Sequence, residues 1–112
     1  MSKFKNYLTE SKKPKALNEI FIQFNEVISS KKGKEKDAAI ARLAMIAELD
    51  AANLYEQMIP YVQNKDLKDI LQDVANEEKT HAGEFEYALE QVDPQWEDFE
   101  DDGEEEAEDK TK

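Results

Sequence analysis

At 112 residues the chain has room for one small domain at most. Acidic residues outnumber basic ones 27 to 15, a net charge of −12, which argues against nucleic-acid binding, because phosphate contacts need a basic face. Cysteine is absent, and that excludes disulfides, thiolate zinc sites and iron–sulfur clusters.

The N-terminal segment is lysine-rich but has no apolar stretch of the kind a secretory signal needs. Residues 1–36 carry nine lysines against four acids, whereas residues 97–112 carry ten acids and two lysines. The longest mostly apolar run, 38–47, contains Arg42 and is too short to span a bilayer. The expectation is a soluble, cytoplasmic protein with no membrane partner. Strand alternation and hairpin-turn dipeptides are missing, and helical spacing dominates, so the fold class is all-α.

In chain order, residues 1–13, with Phe4, Tyr7 and Leu8, read as a short helix or a docked arm. Pro14 is suited to open the next helix. Over 15–29, Leu17, Ile20, Phe21, Phe24, Val27 and Ile28 line one face, and 29–34, containing Gly33, is a polar connection. A second helix is expected over 36–62, with Ile40, Leu43, Ala44, Ala47, Ala51, Leu54, Tyr55, Met58 and Val62 as its apolar face and Pro60 as a kink or stop. A short turn follows, capped by Asn64 or Asp66. The third helix covers 66–92, with Leu67, Ile70, Leu71, Val74, Phe85, Ala88 and Val92 inward, and Asp93-Pro94 ends it. Beyond Trp96 and Phe99 no apolar spacing remains, so 95–112 is expected to be an acidic disordered tail. The organisation is therefore 1–35, an amphipathic helix and linker; 36–94, an antiparallel helical hairpin; and 95–112, the tail. A hairpin this thin leaves an apolar face open, and oligomerisation is the expected remedy.

Three polar residues interrupt the apolar stripes. Glu78 and His81 lie between Val74 and Phe85 at helical spacing, and Glu48 shares a face with Ala44, Ala51 and Tyr55. An unpaired buried carboxylate costs several kcal/mol, and no buried Arg or Lys stands opposite. A Glu on one helix with Glu-x-x-His on the next is half the ligand set of a carboxylate-bridged di-iron site. With a single histidine in the chain, two copies must meet to complete it. A two-fold dimer gathers four carboxylates and two neutral imidazoles, matched by two divalent ions, and that donor set suits iron or manganese.

The segment Ala47-Glu48-Leu49-Asp50-Ala51-Ala52-Asn53-Leu54-Tyr55-Glu56, followed by Glu77-Glu78-Lys79-Thr80-His81-Ala82-Gly83-Glu84-Phe85, resembles the rubrerythrin and ferritin-like superfamily. Within it the pattern is most similar to the encapsulated ferritins, half-ferritins whose hairpins dimerise into a four-helix bundle. The resemblance covers about residues 36–94. It implies a ferroxidase that oxidises Fe(II) to Fe(III) with oxygen, serving iron storage or detoxification, at a centre of two irons per dimer interface. Glu48, Glu78 and His81 would be its ligands, Glu48 the bridging carboxylate, and Tyr55 a neighbour of the site. It also implies a homodimer, higher homo-oligomers, and a shell protein that encloses the assembly. Position 47 is alanine where members carry a further metal-binding acid, with Asp50 as substitute. The chain also ends on acids and lysines rather than on the short apolar shell-docking peptide of the family.

Other readings compete. Glu77 rivals Glu78 as the inward acid, Glu84 lies at the edge of the face, and Tyr55 is otherwise a core aromatic. A peroxide-consuming, rubrerythrin-like oxidoreductase would use the same ligands, and a non-catalytic helical adaptor would pair them with groups of a partner chain.

Overall fold

A computed structural model describes residues 15–112, with side chains from residue 19 onward. The arm expected over residues 1–13 lies outside the described residues. Among those described there are four α-helices, one 3₁₀ turn and no strand. Helix α1 spans Lys15–Ser30, α2 Gly33–Met58, α3 Lys65–Val92 and α4 Trp96–Lys110.

Local chemistry sets the breaks. The hydroxyls of Ser29 and Ser30 accept no helical role further on; they donate back to the carbonyls of Asn25 and Glu26 at the end of α1. Gly33 opens α2 at φ +56°, the left-handed region that a side chain disfavours. Pro60 stops α2 four residues earlier than the expected end at 62, by seeding the 3₁₀ turn Ile59–Tyr61. Of the two candidate caps for α3, Asn64 does the work: its Oδ1 accepts from the Leu67 amide at 2.8 Å.

Helices α2 and α3 form the expected antiparallel hairpin, but its seam is rotated from the expected one. The buried residues are alanines and one leucine: Ala38, Ala41 and Ala52 on α2, and Ala75, Ala82 and Leu89 on α3. They define a 3–4 alternation on each helix, through Ala38, Ala41, Met45, Glu48, Ala52 and Tyr55 on α2. On α3 it runs through Leu71, Ala75, Glu78, Ala82, Phe85, Leu89 and Val92. Small methyl groups let the two backbones close up. Bulkier residues expected to face inward, Leu54, Met58, Leu67 and Ile70, remain between 41% and 58% exposed. Helix α1 packs separately, with Val27 against Ala39 and Leu43 on another face of α2.

The acidic tail is not disordered. Residues 96–110 form a helix, and three forces favour it. Glu97 and Asp98 in its first turn complement the helix dipole, glutamate is a good helix former, and Trp96 packs at the foot of α4 against the cluster of Ala38, Ala41 and Leu89. Composition alone weighs the repulsion and misses the anchor.

Candidate metal centre

Glu48 and Glu78 occupy seam positions near the middle of the hairpin, while His81 stands one step to the side, on the open flank. The result is graded burial: the side chains of Glu48 and Glu78 are 20% exposed and that of His81 43%. His81 Nδ1 lies 3.5 Å from Glu48 Oε2 and 3.8 Å from Glu78 Oε1. One ligand atom from each of the three lies within 4.8 Å of the others. Glu77 is exposed, as is Glu84, and neither joins the group. Tyr55, half-buried, sits in the seam two turns beyond Glu48, about 10 Å along the axis. Asp50 is partly buried and outside the cluster.

The electrostatics are those of a site short of positive charge. The Glu78 carboxyl is raised above its ordinary value. The first cause is its pairing with the Glu48 carboxyl, which requires a shared proton; shielding from water and the Glu48 charge add to it, and His81 opposes it. Glu48 Oε2 is buried without a hydrogen-bond partner. Native structures rarely leave such an atom unsatisfied. An oxygen orphaned beside a second carboxylate and an imidazole nitrogen is matched to a cation, and this oxygen-rich set with one nitrogen fits iron or manganese.

Two ion pairs across the hairpin are absent from any sequence expectation. Lys79 pairs with Glu56 across the hairpin, and so ties the helix turn that carries Glu78 to α2. Arg42 pairs with Asp93 at 3.3 Å and fastens the far end of the hairpin. A second group of carboxylates, Glu86 and Glu90 of α3 with Glu100 of α4, also lies within 4.8 Å. It was invisible while α4 was expected to be unstructured. The i, i+4 spacing of Glu86 and Glu90 was the one signal available.

Residues 39–112 match the Rubrerythrin family. The chain belongs to that family. Its rubrerythrin-type hairpin is similar to the crystal structure of the encapsulated ferritin domain from Pyrococcus furiosus. That likeness has a TM-score of 0.67 and 46% identity over 71% of this chain and 82% of that one. A ferritin-like–encapsulin shell fusion protein of Pyrococcus furiosus is 55% identical over 62 residues, 55% of this chain and 18% of the relative. Encapsulin nanocompartment cargo protein EncC of Myxococcus xanthus is 39% identical over 72 residues, 64% of this chain and 55% of the relative. The chain thus spans between about a fifth and about half of these two curated relatives. Helix α1 and the lysines before residue 39 lie outside the family match. Among the described residues no helix is long and apolar enough to cross a membrane.

Proposed function

We propose that the chain is a ferroxidase whose substrate, Fe(II), is oxidised by oxygen at a centre completed by two copies of the hairpin. The observation that carries this reading is the orphaned Glu48 oxygen facing Glu78 and His81 on an open apolar flank. One chain supplies two carboxylates and one imidazole. A two-fold partner doubles them to the four carboxylates and two imidazoles that ferritin-like di-iron sites use. The flank around the site exposes Leu54, Leu67 and Ile70, apolar area that a second hairpin would cover.

In this assignment Glu48 and Glu78, equally shielded in the seam, would hold the irons, the family resemblance favouring Glu48 as the shared ligand. His81 binds through a neutral nitrogen. Its Nδ1 already faces both carboxylates, so the ring needs little reorientation. Glu48 and Glu78 would meet the metal as carboxylates, so any proton held between them would be released to water. Bound iron supplies one-electron chemistry toward oxygen. Tyr55, in the same seam, is placed to influence the site from beyond the ligands rather than as a ligand.

Relatives named as encapsulin cargo and as a shell fusion support a wider setting. We infer that the oligomer works inside an encapsulin-type shell in the cytoplasm, where oxidised iron is stored. Open hairpins of this size enclose no volume for mineral themselves.

The test is iron-dependent oxygen consumption by the full chain and by Glu78→Ala and His81→Ala, with bound iron counted after anaerobic loading. About one iron per chain and loss of turnover in both variants are expected. Wild-type turnover in both variants would refute the assignment. Faster re-oxidation of the ferrous protein by peroxide than by oxygen would move the function to peroxide reduction.

A further inference from the structure

The α1–α2 connection gathers Lys31, Lys32, Lys34 and Lys36 within six residues, in a protein whose net charge is −12. Lys31 follows the negative end of α1, but the lysines at the start of α2 are placed unfavourably for an isolated chain. Lys32 is the N-cap of the 26-residue helix α2, and Lys34 and Lys36 lie in its first turn. A helix N-terminus carries partial positive charge and favours anions, yet only Glu35 there is acidic. None of the four lysines is ion-paired among the described residues.

Helix α4 has the opposite defect. Ten of its 15 residues are Asp or Glu, and the helix is exposed along its length. Like charges three and four residues apart repel, and acids in its last two turns stand at the negative end of the dipole. Among the described residues, only Asp109 of these acids is ion-paired, to Lys112. Among the described residues of one chain the two segments do not relieve each other: beyond Trp96 at its foot, α4 lies against α3 alone, and no ion pair joins it to the lysines.

We propose that the basic collar Lys31, Lys32, Lys34 and Lys36 receives the acidic helix α4 of a second copy of this chain, and that the second copy's collar receives α4 in return. The exchange is self-complementary, as a two-fold contact requires. Collar and α4 root lie at the same end of the hairpin, so one axis there serves both. An apolar anchor accompanies the charges. A cavity of about 420 Å³ opens beside the collar, ringed by Lys31, Lys34 and Arg42 with the acids Glu35 and Asp93, the latter paired to Arg42, and with Ala38, Val92 and Pro94 as its apolar wall. Phe99 of α4, 64% exposed, is the side chain that fits it. This contact lies at the end of the hairpin, away from the flank of Glu48, Glu78 and His81. It does not rest on the metal reading. Single exposed ion pairs contribute little; a network of several, with an aromatic in a pocket, gives a salt-sensitive interface.

The experiment mixes unlabelled and ¹⁵N-labelled full-length chain, metal-free in chelator, and treats it with a water-soluble carbodiimide, which joins lysine amines to carboxylates at contact distance. Mass spectrometry should find amide links between Lys31, Lys32 or Lys34 and acids of α4 in which one peptide is labelled and the other is not. These links should fall at least tenfold in about 0.5 M salt, where screening acts over a few ångström. They should also be lost in K31E/K32E/K34E and return when that variant is mixed with E97K/D101K/E104K. Circular dichroism confirms that both variants keep their helices; should either unfold, the salt series and isotope pattern of the natural chain decide alone. Links confined to one isotope, or links indifferent to salt, would overturn the proposal.

Discussion

The α2–α3 seam and helix α4 are built on opposite terms. The seam is apolar, close-packed and closed by methyl groups, and it tolerates two carboxylates near its centre with an imidazole at its edge. Helix α4 is almost wholly charged, projects from the hairpin, and is held at its root by one tryptophan. The seam gets its order from packing, whereas α4 rests on local terms, the acids of its first turn and the helix preference of glutamate, and on the tryptophan at its root. Ionisable groups in the seam therefore report on a ligand, whereas those on α4 report on surroundings.

The strongest way to break the contrast is Glu48→Ala. It removes the orphaned oxygen, and iron-dependent oxygen uptake should fall by more than about 100-fold, since even outer partners of metal ligands are worth 10–100-fold. Oxygen-electrode traces read this directly. Next, Leu89→Ala should destabilise the hairpin by about 2–5 kcal/mol, because Leu89 is the largest fully buried side chain among the described residues. Thermal denaturation followed by circular dichroism measures it. Glu48→Leu sharpens the comparison in the other direction. The metal-free protein should gain about 1–3 kcal/mol, since an uncompensated buried carboxylate gives way to packing, while iron no longer binds.

A smaller effect concerns pH at the root of α4. Pairing with Glu86, then shielding from water and the charges of Glu86, Glu90 and Asp101, push Glu100 up to about 7. A carboxyl raised above its ordinary 4.5 stabilises the folded contact fully below that ordinary value, and the contribution is lost as pH rises through about 7. Trp96 fluorescence should therefore change between pH 5 and about 8, and Glu100→Gln should flatten the change. Smallest of all, Lys65→Ala should alter stability by less than about 0.5 kcal/mol, because its pair with Asp69 is exposed on both sides.

Helix existence and the carboxylate–imidazole trio were legible in the sequence because both rest on periodicity. Glu48, Glu78 and His81 were placed by counting threes and fours, and the structure brings them together. The orientation of the seam was harder. Large residues such as Leu54 and Ile70 dominate any apolar stripe, yet close backbone approach selects Ala52, Ala75 and Ala82 instead. Size, which hydrophobic counting ignores, decided that contact. Helix α4 was hidden for a related reason: its charge was visible, but the docking of Trp96 against Leu89 depends on a contact outside the local window. The Glu56–Lys79 pair required the register of the hairpin, which no single helix contains.

The alanines flanking the trio have a consequence for how the site could evolve. Ala52 and Ala75 are 2% and 0% exposed, and Ala82 is 7%; a methyl group has no rotamer to adjust. The gap between the Glu48 and Glu78 carboxyls is thereby held by inert spacers as well as by the pairing of the two carboxyls. One extra carbon at position 52, 75 or 82 would pry the two backbones apart and widen the spacing of the two carboxyls, so tuning of the candidate site would begin among residues outside it.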